Sequence, residues 1–267
     1  MKISYLGGGN MAAALIGGWI ASGKPPSDIT VLEQDTSRAQ QLSERFGVQV
    51  TQDPQTALNG CNMLVLAVKP QQMKEACASV QPFVAQAAVL SIAAGVRIAQ
   101  LTQWLGSERV LRAMPNTPAL VGAGVSAVVA TAAVDEAAKA QAQSILEAAG
   151  AVIWLDKEPL LDVVTALSGS GPAYVFYVLE ALIKAGQALG LTQQAAHTLA
   201  VHTVIGAGQL AARSDEPIAT LRERVTSKGG TTAAGLESLR QDGVDAALVR
   251  AVEAAHRRAV ELGDAFG

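Results

Sequence analysis

Up to about Asp156 the chain alternates short apolar runs with stretches of helical period. Lys2–Leu6, Ile29–Glu33, Met63–Val68, Ala88–Ile92 and Val110–Met114 are rich in β-branched and aliphatic residues and predict strands. Asn10–Ser22, Thr36–Phe46, Gln71–Ser79 and Ile98–Leu105 lie between them and predict helices. A later strand pair, Val125–Ala130 and Val152–Leu155, brackets a helix over Asp135–Ala149, and Ser37 and Gln40 have the spacing of a capping box at the head of the second helix. The strand candidates are apolar at nearly every position rather than at alternate ones, the pattern of strands covered on both faces. Strands alternating with helices predict an α/β fold with a parallel sheet between two helical layers.

After Pro159 the alternation stops and everything that follows reads as helix. Within Pro172–Leu189 the polar side chains form one narrow stripe, Glu180, Lys184 and Gln187, and almost every other position is apolar or small. A helix apolar nearly all round must be buried nearly all round. The segment after 160 has too little chain to bury it alone, so part of that surface is expected in contact with another subunit. Gly206 and Gly208 lie within the helical pattern of Gln193–Arg213, where they weaken the helix but permit close helix approach. The expected organisation is therefore an α/β domain over 1–160 and an all-helical oligomerisation domain over 161–267, in a homodimer or higher homo-oligomer.

The first strand runs directly into Gly7-Gly8-Gly9-Asn10-Met11-Ala12, which opens a helix. This is the Rossmann dinucleotide fingerprint with alanine in the third glycine position. Gly7 permits the tight turn, Gly9 lets the backbone approach a pyrophosphate, and Ala12 lets helix and sheet pack closely. Glu33 ends the second strand 24 residues after Gly9, where an acidic residue accepts hydrogen bonds from the adenosine ribose and repels a 2′-phosphate. Gln34 and Asp35 follow it, and Arg38 already belongs to the helix, which tilts the expected cofactor from NAD(P)H in general toward NADH.

Composition narrows the field further. The net charge of −3 comes without a basic run, so no nucleic-acid partner is expected. Cys61 and Cys77 show no CxxC spacing and predict reduced thiols with no disulfide framework and no metal site. The N-terminal residues enter a strand without a charged and then apolar leader, which predicts a cytoplasmic location. The charge-free run Ala113–Val134 is interrupted by Pro115, Pro118, Gly122 and Gly124, so no membrane helix is expected there. All three histidines, His197, His202 and His256, fall in the helical half. A dehydrogenase acting on alcohols needs a positioned acid or base, whereas a protonated imine is already electrophilic, so this distribution favours a C=N substrate.

Further segments add to this reading: Ala67-Val68-Lys69-Pro70, Ser91 to Val96, Arg112 to Ala119 around Pro115-Asn116-Thr117-Pro118, Ser168 to Tyr174, and Thr226-Ser227-Lys228-Gly229-Gly230-Thr231-Thr232. In this order, behind this fingerprint, the chain resembles the pyrroline-5-carboxylate reductases from about Ile3 to Ala255. The resemblance implies reduction of 1-pyrroline-5-carboxylate to L-proline, the last step of proline synthesis, by a Rossmann domain joined to a helical dimerisation domain. It implies that Gly7, Gly9, Asn10, Met11 and Ala12 hold the pyrophosphate and that Glu33 stands at the ribose. It further implies that Ala67, Lys69, Pro70, Ala93 and Ala94 flank the nicotinamide end, with Asn116 nearby. Ser227, Gly229, Gly230, Thr231 and Thr232 would bind the substrate, with Thr232 at the ring nitrogen. A glycine-rich loop opening a helix suits a carboxylate on physical grounds as well, because it presents backbone N–H groups at a positive helix end. Lys228 replaces the proline usual in the family. Asn116 between prolines is equally a turn residue, and the Ser168–Tyr174 glycines also suit close packing.

Two other functions remain open at this point. A related imine reductase or β-hydroxyacid dehydrogenase would use a lysine on the interdomain helix, for which Lys184 is the available residue. A dinucleotide-binding regulator would not turn over at all.

Overall fold

In a computed structural model that describes residues 1–84 and 86–265, Ile3–Leu6 forms β1 and Asn10–Ala21 forms α1. The last two residues of the expected helical domain lie outside the described range. β2 (Ile29–Leu32), α2 (Thr36–Phe46), β3 (Gln49–Thr51), α3 (Pro54–Leu58), β4 (Met63–Leu66), α4 (Met73–Val80), β5 (Ala88–Ser91) and α5 (Ile98–Leu105) follow. Then come β6 (Val110–Pro115), β7 (Gly124–Ala130), α6 (Glu136–Glu147) and β8 (Gly150–Trp154). The strands make one sheet in the order β3-β2-β1-β4-β5-β6-β7-β8.

Successive side chains on each strand supply opposite faces, which is why the inner strands are apolar at nearly every position. Ile3 and Tyr5 of β1, with Met63 and Val65 of β4, join the core under α1 and α6, around Leu15, Ile16, Trp19 and Ile145. Leu6, Leu64 and Leu66 join the opposite core with Met73 and Cys77 of α4 and Leu101 of α5. Gly18 is the closest helix approach, since a Cβ there would overlap the Ala148 carbonyl.

The α/β layering matches the pattern of the sequence, with three differences. β7 runs antiparallel to β6. Pro115 and Gly124 are joined by the short turn Thr117–Val121, and a parallel return needs a crossover of about a dozen residues or more. β3 and α3 were not anticipated, because β3 is a short, mostly polar edge strand with no buried residue. The head of α2 is capped by Asp35, whose side chain accepts from the Arg38 N–H at 3.0 Å, and not by a Ser37–Gln40 box. Gln40 instead donates to Glu44 one turn further on.

Beyond β8 lie α7 (Leu160–Val164), a π turn (Thr165–Gly169), α8 (Gly171–Ala188), α9 (Gln193–Ala212), α10 (Ile218–Arg224), α11 (Thr231–Gln241) and α12 (Val244–Ala265). The chain divides into two compact units, one of residues 1–170 and 255–267 and the other of residues 171–254. In the first unit the π turn is drawn against the end of β6, where a Cβ on Gly169 would stand 2.8 Å from Met114 Cε. The same unit holds buried charge: Arg112, 2% exposed in the middle of β6, donates from Nη1 to Glu158 at 2.8 Å. Glu158 also accepts from the Ile98 N–H at 2.7 Å, capping α5, and Arg97 pairs with buried Asp162 at 2.7 Å.

In the second unit α8 packs on α9. No residue of α8 is buried, and Phe176 and Tyr177 are 61% and 75% exposed. The run Leu160–Ala188 is, by length and composition, the one described helix apolar enough to cross a membrane. The apolar side chains of Pro172–Leu189 are what the sequence pattern assigns in part to subunit contact.

Candidate dinucleotide and substrate sites

The sheet order turns at β1, with β2 and β3 on one side and β4 onward on the other. At such a point the loops leaving the carboxyl ends of adjacent strands part in opposite directions and open a crevice. A cleft of about 770 Å³ lies there, lined by Gly7 to Asn10 after β1, Glu33 to Asp35 after β2, Ala67 to Lys69 after β4, Arg38 of α2, and Gln72, Glu75 and Ser79 around α4.

Its floor is backbone. Gly7 has φ +94°, and a Cβ there would lie 2.8 Å from Val68 Cγ1 and 3.2 Å from the Ala67 carbonyl, so a side chain would meet both backbone strain and a wall. Gly9 is the N-cap of α1 and makes no side-chain cap, and the first turn carries no acidic residue. The leading N–H groups of a 12-residue helix are thus left to a ligand at the cleft. Ala12 is fully buried beneath the helix and Met11 packs on the same core, so these two shape the turn rather than line it. Gly8, the variable position of the fingerprint, is constrained as well, since a Cβ there would strike Leu42 and come 3.2 Å from Glu33 Oε2.

Glu33 is 7% exposed. Oε2 accepts from the Gly8 N–H at 2.8 Å and from Arg38 Nη1 at 3.3 Å, and Oε1 accepts from the Asp35 N–H at 2.9 Å. A carboxylate has about four acceptor positions, so roughly one remains, on Oε1, for a ribose hydroxyl. This crevice, with its backbone floor, bare helix end and acidic group at the ribose position, fits a dinucleotide.

The expected nicotinamide residues fall on successive strand ends. Ala67 and Lys69 line the cleft after β4, and Pro70 begins the next turn. Ala93 and Ala94 follow β5, and Asn116 follows β6, so they continue along the same sheet edge but do not line this cleft. Asn116 is held at both ends of its amide. Nδ2 donates to the Ser168 carbonyl at 3.1 Å and Oδ1 accepts from the Val125 N–H at 2.9 Å. It ties the π turn and the start of β7 to the end of β6. Arg38, Asp35, Gln72, Glu75 and Ser79 were not anticipated in the cleft; Arg38 had a signal, being a cation one helical turn from the Asp35 cap.

In the second unit residues 227–230 form a largely exposed loop leading into α11, which opens with Thr231 and Thr232. Gly229 has φ +73°, the Gly230 N–H donates to the Ser227 carbonyl at 3.0 Å, and Gly230 is the N-cap without a side-chain cap. α11 begins at Thr231, two residues earlier than the helix after Thr232 that the sequence suggests, which puts Thr232 second in the helix with its backbone N–H at the open end. Lys184 and the two histidines of α9 are exposed, and none of the three histidines lines the cleft. Neither thiol is activated: burial pushes Cys77 up to about 12 and also raises Cys61.

Comparison with known proteins places this geometry among reductases. Residues 158–262 match the family described as pyrroline-5-carboxylate reductase dimerisation, and residues 2–95 match that described as NADP oxidoreductase, coenzyme F420-dependent. Pyrroline-5-carboxylate reductase of Pseudomonas aeruginosa is 41% identical, over 100% of this chain and 98% of the relative. A solved pyrroline-5-carboxylate reductase from Coxiella burnetii has a TM-score of 0.94 at 39% identity, and covers 98% of each chain. One from Plasmodium falciparum, with NADP bound, has a TM-score of 0.85 at 28% identity over 98% of each chain.

Proposed function

The chain belongs to the pyrroline-5-carboxylate reductase family, and from that premise we propose how its own residues divide the work of reducing 1-pyrroline-5-carboxylate to L-proline. It is an NAD(P)H-dependent oxidoreductase. The observation that carries the reading is the cleft at the turn of the strand order, with its Gly7–Gly9 floor and the buried Glu33 at its ribose end.

The bound dinucleotide supplies a hydride, and the substrate accepts it at the imine carbon while the C=N π electrons pass to the protonated nitrogen. Gly9 and Asn10 hold the pyrophosphate with backbone N–H groups, on a turn that Gly7, whose own N–H donates to the Leu32 carbonyl at 2.9 Å, makes possible and that Met11 and Ala12 fix against the core. Ala67, Lys69 and Pro70, continued by Ala93, Ala94 and Asn116, flank the nicotinamide end. Asn116 acts there by fixing the loops around it, as its two hydrogen bonds support. The N–H groups of Gly229 and Thr231 and the Ser227 hydroxyl hold the substrate carboxylate, Gly230 shapes the turn by donating its own N–H to the Ser227 carbonyl, and the Thr232 hydroxyl meets the ring nitrogen. Such a division needs orientation more than a general acid, in keeping with the absence of histidine from the cleft.

The 1–160 and 161–267 halves are assigned to nucleotide and to substrate with oligomerisation, respectively. The exposed apolar side chains of α8 support self-association through the helical half, as a homodimer or larger homo-oligomer. The two free thiols suit a reducing compartment, so the cytoplasm is the proposed location, at the last step of proline synthesis, without nucleic-acid or membrane partners.

NADH is the preferred donor in this reading, because a 2′-phosphate would bring its charge against Glu33. Glu33→Ser should therefore raise kcat/KM with NADPH relative to NADH. An unchanged ratio in steady-state kinetics with both donors would reduce Glu33 to a strand end.

A further inference from the structure

The ribose end of the cleft holds a cation as well as an anion. Arg38 projects from α2 with its side chain about half exposed, and its Nη1 lies 3.3 Å from Glu33 Oε2. Its Nη2 lies 4.0 Å from Asp35 Oδ2. The guanidinium therefore sits within one hydrogen-bond length of the group that reads the ribose hydroxyl, which is where a 2′-phosphate would be carried. Arginine is the side chain best shaped for phosphate, since its fork can bind two oxygens at once. Here that fork is engaged by two carboxylates, one of them nearly buried, and the three groups together carry a net negative charge.

We propose that the Glu33–Arg38 pair is a cofactor selector in which Glu33 acts as a positioning residue, holding Arg38 away from a latent 2′-phosphate site. The proposal rests on reading the cleft as the dinucleotide site and specifies how that site discriminates. Glu33 is anchored independently of Arg38 by the Gly8 and Asp35 N–H groups, so it stays in place as a competitor when a ligand arrives. A 2′-phosphate must compete with a neighbouring carboxylate for the guanidinium, whereas NADH needs no such competition. Discrimination thus comes from withholding a cation as much as from presenting an anion. Without Glu33 the net negative charge of the site is removed, and Arg38 is then opposed only by the exposed Asp35 at longer range.

Calorimetric titration of the full-length chain with NAD⁺ and with NADP⁺ tests this, using Glu33→Gln, Arg38→Ala and the double variant. Glutamine keeps a carbonyl oxygen for the Gly8 N–H and removes the charge. One newly available charge-assisted contact is worth roughly tenfold, so Glu33→Gln should raise the NADP⁺ to NAD⁺ affinity ratio about tenfold. In the Arg38→Ala background the same change should move the ratio by less than about threefold. A tenfold rise that persists without Arg38 would overturn the proposal and leave Glu33 acting by its own charge. Arg38→Ala alone lies on an exposed helix surface and tests the latch even where Glu33→Gln fails to fold. It should leave the ratio of the otherwise natural chain nearly unchanged, and a tenfold loss of NADP⁺ affinity would overturn the latch by showing the guanidinium already free. Failure of the underlying site reading has a different signature: no measurable binding of either nucleotide to the natural chain, or affinities that no variant at Glu33 or Arg38 moves.

Discussion

Thr232→Ala should lower kcat/KM for pyrroline-5-carboxylate roughly ten- to a hundredfold, the equivalent of about 1–3 kcal/mol for one hydrogen bond made as the imine is presented to the donor. Affinity for the dinucleotide should stay nearly constant. The substrate is small, so its carboxylate anchor and its nitrogen contact together determine where the imine carbon lies, and losing one of two anchors costs orientation as well as binding. The competing role of Thr232 is to stabilise the start of α11. The structure weakens that alternative, because Gly230 occupies the N-cap and Thr232 stands inside the first turn. A true cap would be worth about 0.5–2 kcal/mol. Kinetics, cofactor titration and melting of the purified variant separate the two roles. A marked fall in melting temperature with unchanged kcat/KM would assign Thr232 to the helix and remove it from the site.

The largest expected effect on stability comes from Glu158→Ala. Arg112 is 2% exposed and pairs with Glu158, and its Nε has no partner among the described residues. Removing the carboxylate leaves a buried cation uncompensated, at a cost of about 3–5 kcal/mol, and also uncaps the Ile98 N–H of α5. For a chain of this size the melting temperature should fall by on the order of 10 °C. The Arg112→Met, Glu158→Leu double variant should recover a good part of this, since a well-packed apolar pair can replace a buried ion pair at little cost. A loss under about 1 kcal/mol in Glu158→Ala, by denaturant unfolding, would show that the guanidinium is satisfied in another way.

Residues legible from the sequence were those whose role is set by local backbone or by the period of the chain. Gly7 was expected at a tight turn and has a positive φ, and the strand candidates are apolar at nearly every position because both sheet faces are covered. Glu33 was locatable from its distance beyond the fingerprint. What escaped depends on partners distant in sequence or on competition among neighbours. Arg112 in an apolar strand announces that a carboxylate must lie close, but nothing local points to Glu158, 46 positions on. Asp35 wins the cap from Ser37 because the helix begins at Thr36, an offset that spacing rules do not resolve. The direction of β7 follows from the length of the turn before it, not from its apolar pattern. Within the cleft, Gly8 owes its identity to Leu42 and Glu33, and Arg38 reaches the ribose end only because α2 is capped where it is. The placement of Ala93, Ala94 and Asn116 near the nicotinamide came from the family resemblance alone; the fold puts them on adjoining strand ends and supplies Asn116 with a structural role of its own.

The most direct test of the whole account is a single assay of the purified full-length chain. 1-Pyrroline-5-carboxylate is supplied with NADH and, separately, with NADPH, and consumption of reduced nicotinamide is followed together with the proline formed. The account predicts one proline for each reduced dinucleotide consumed, with the higher kcat/KM for NADH. A folded chain that binds the dinucleotide yet forms no proline with either donor would contradict it.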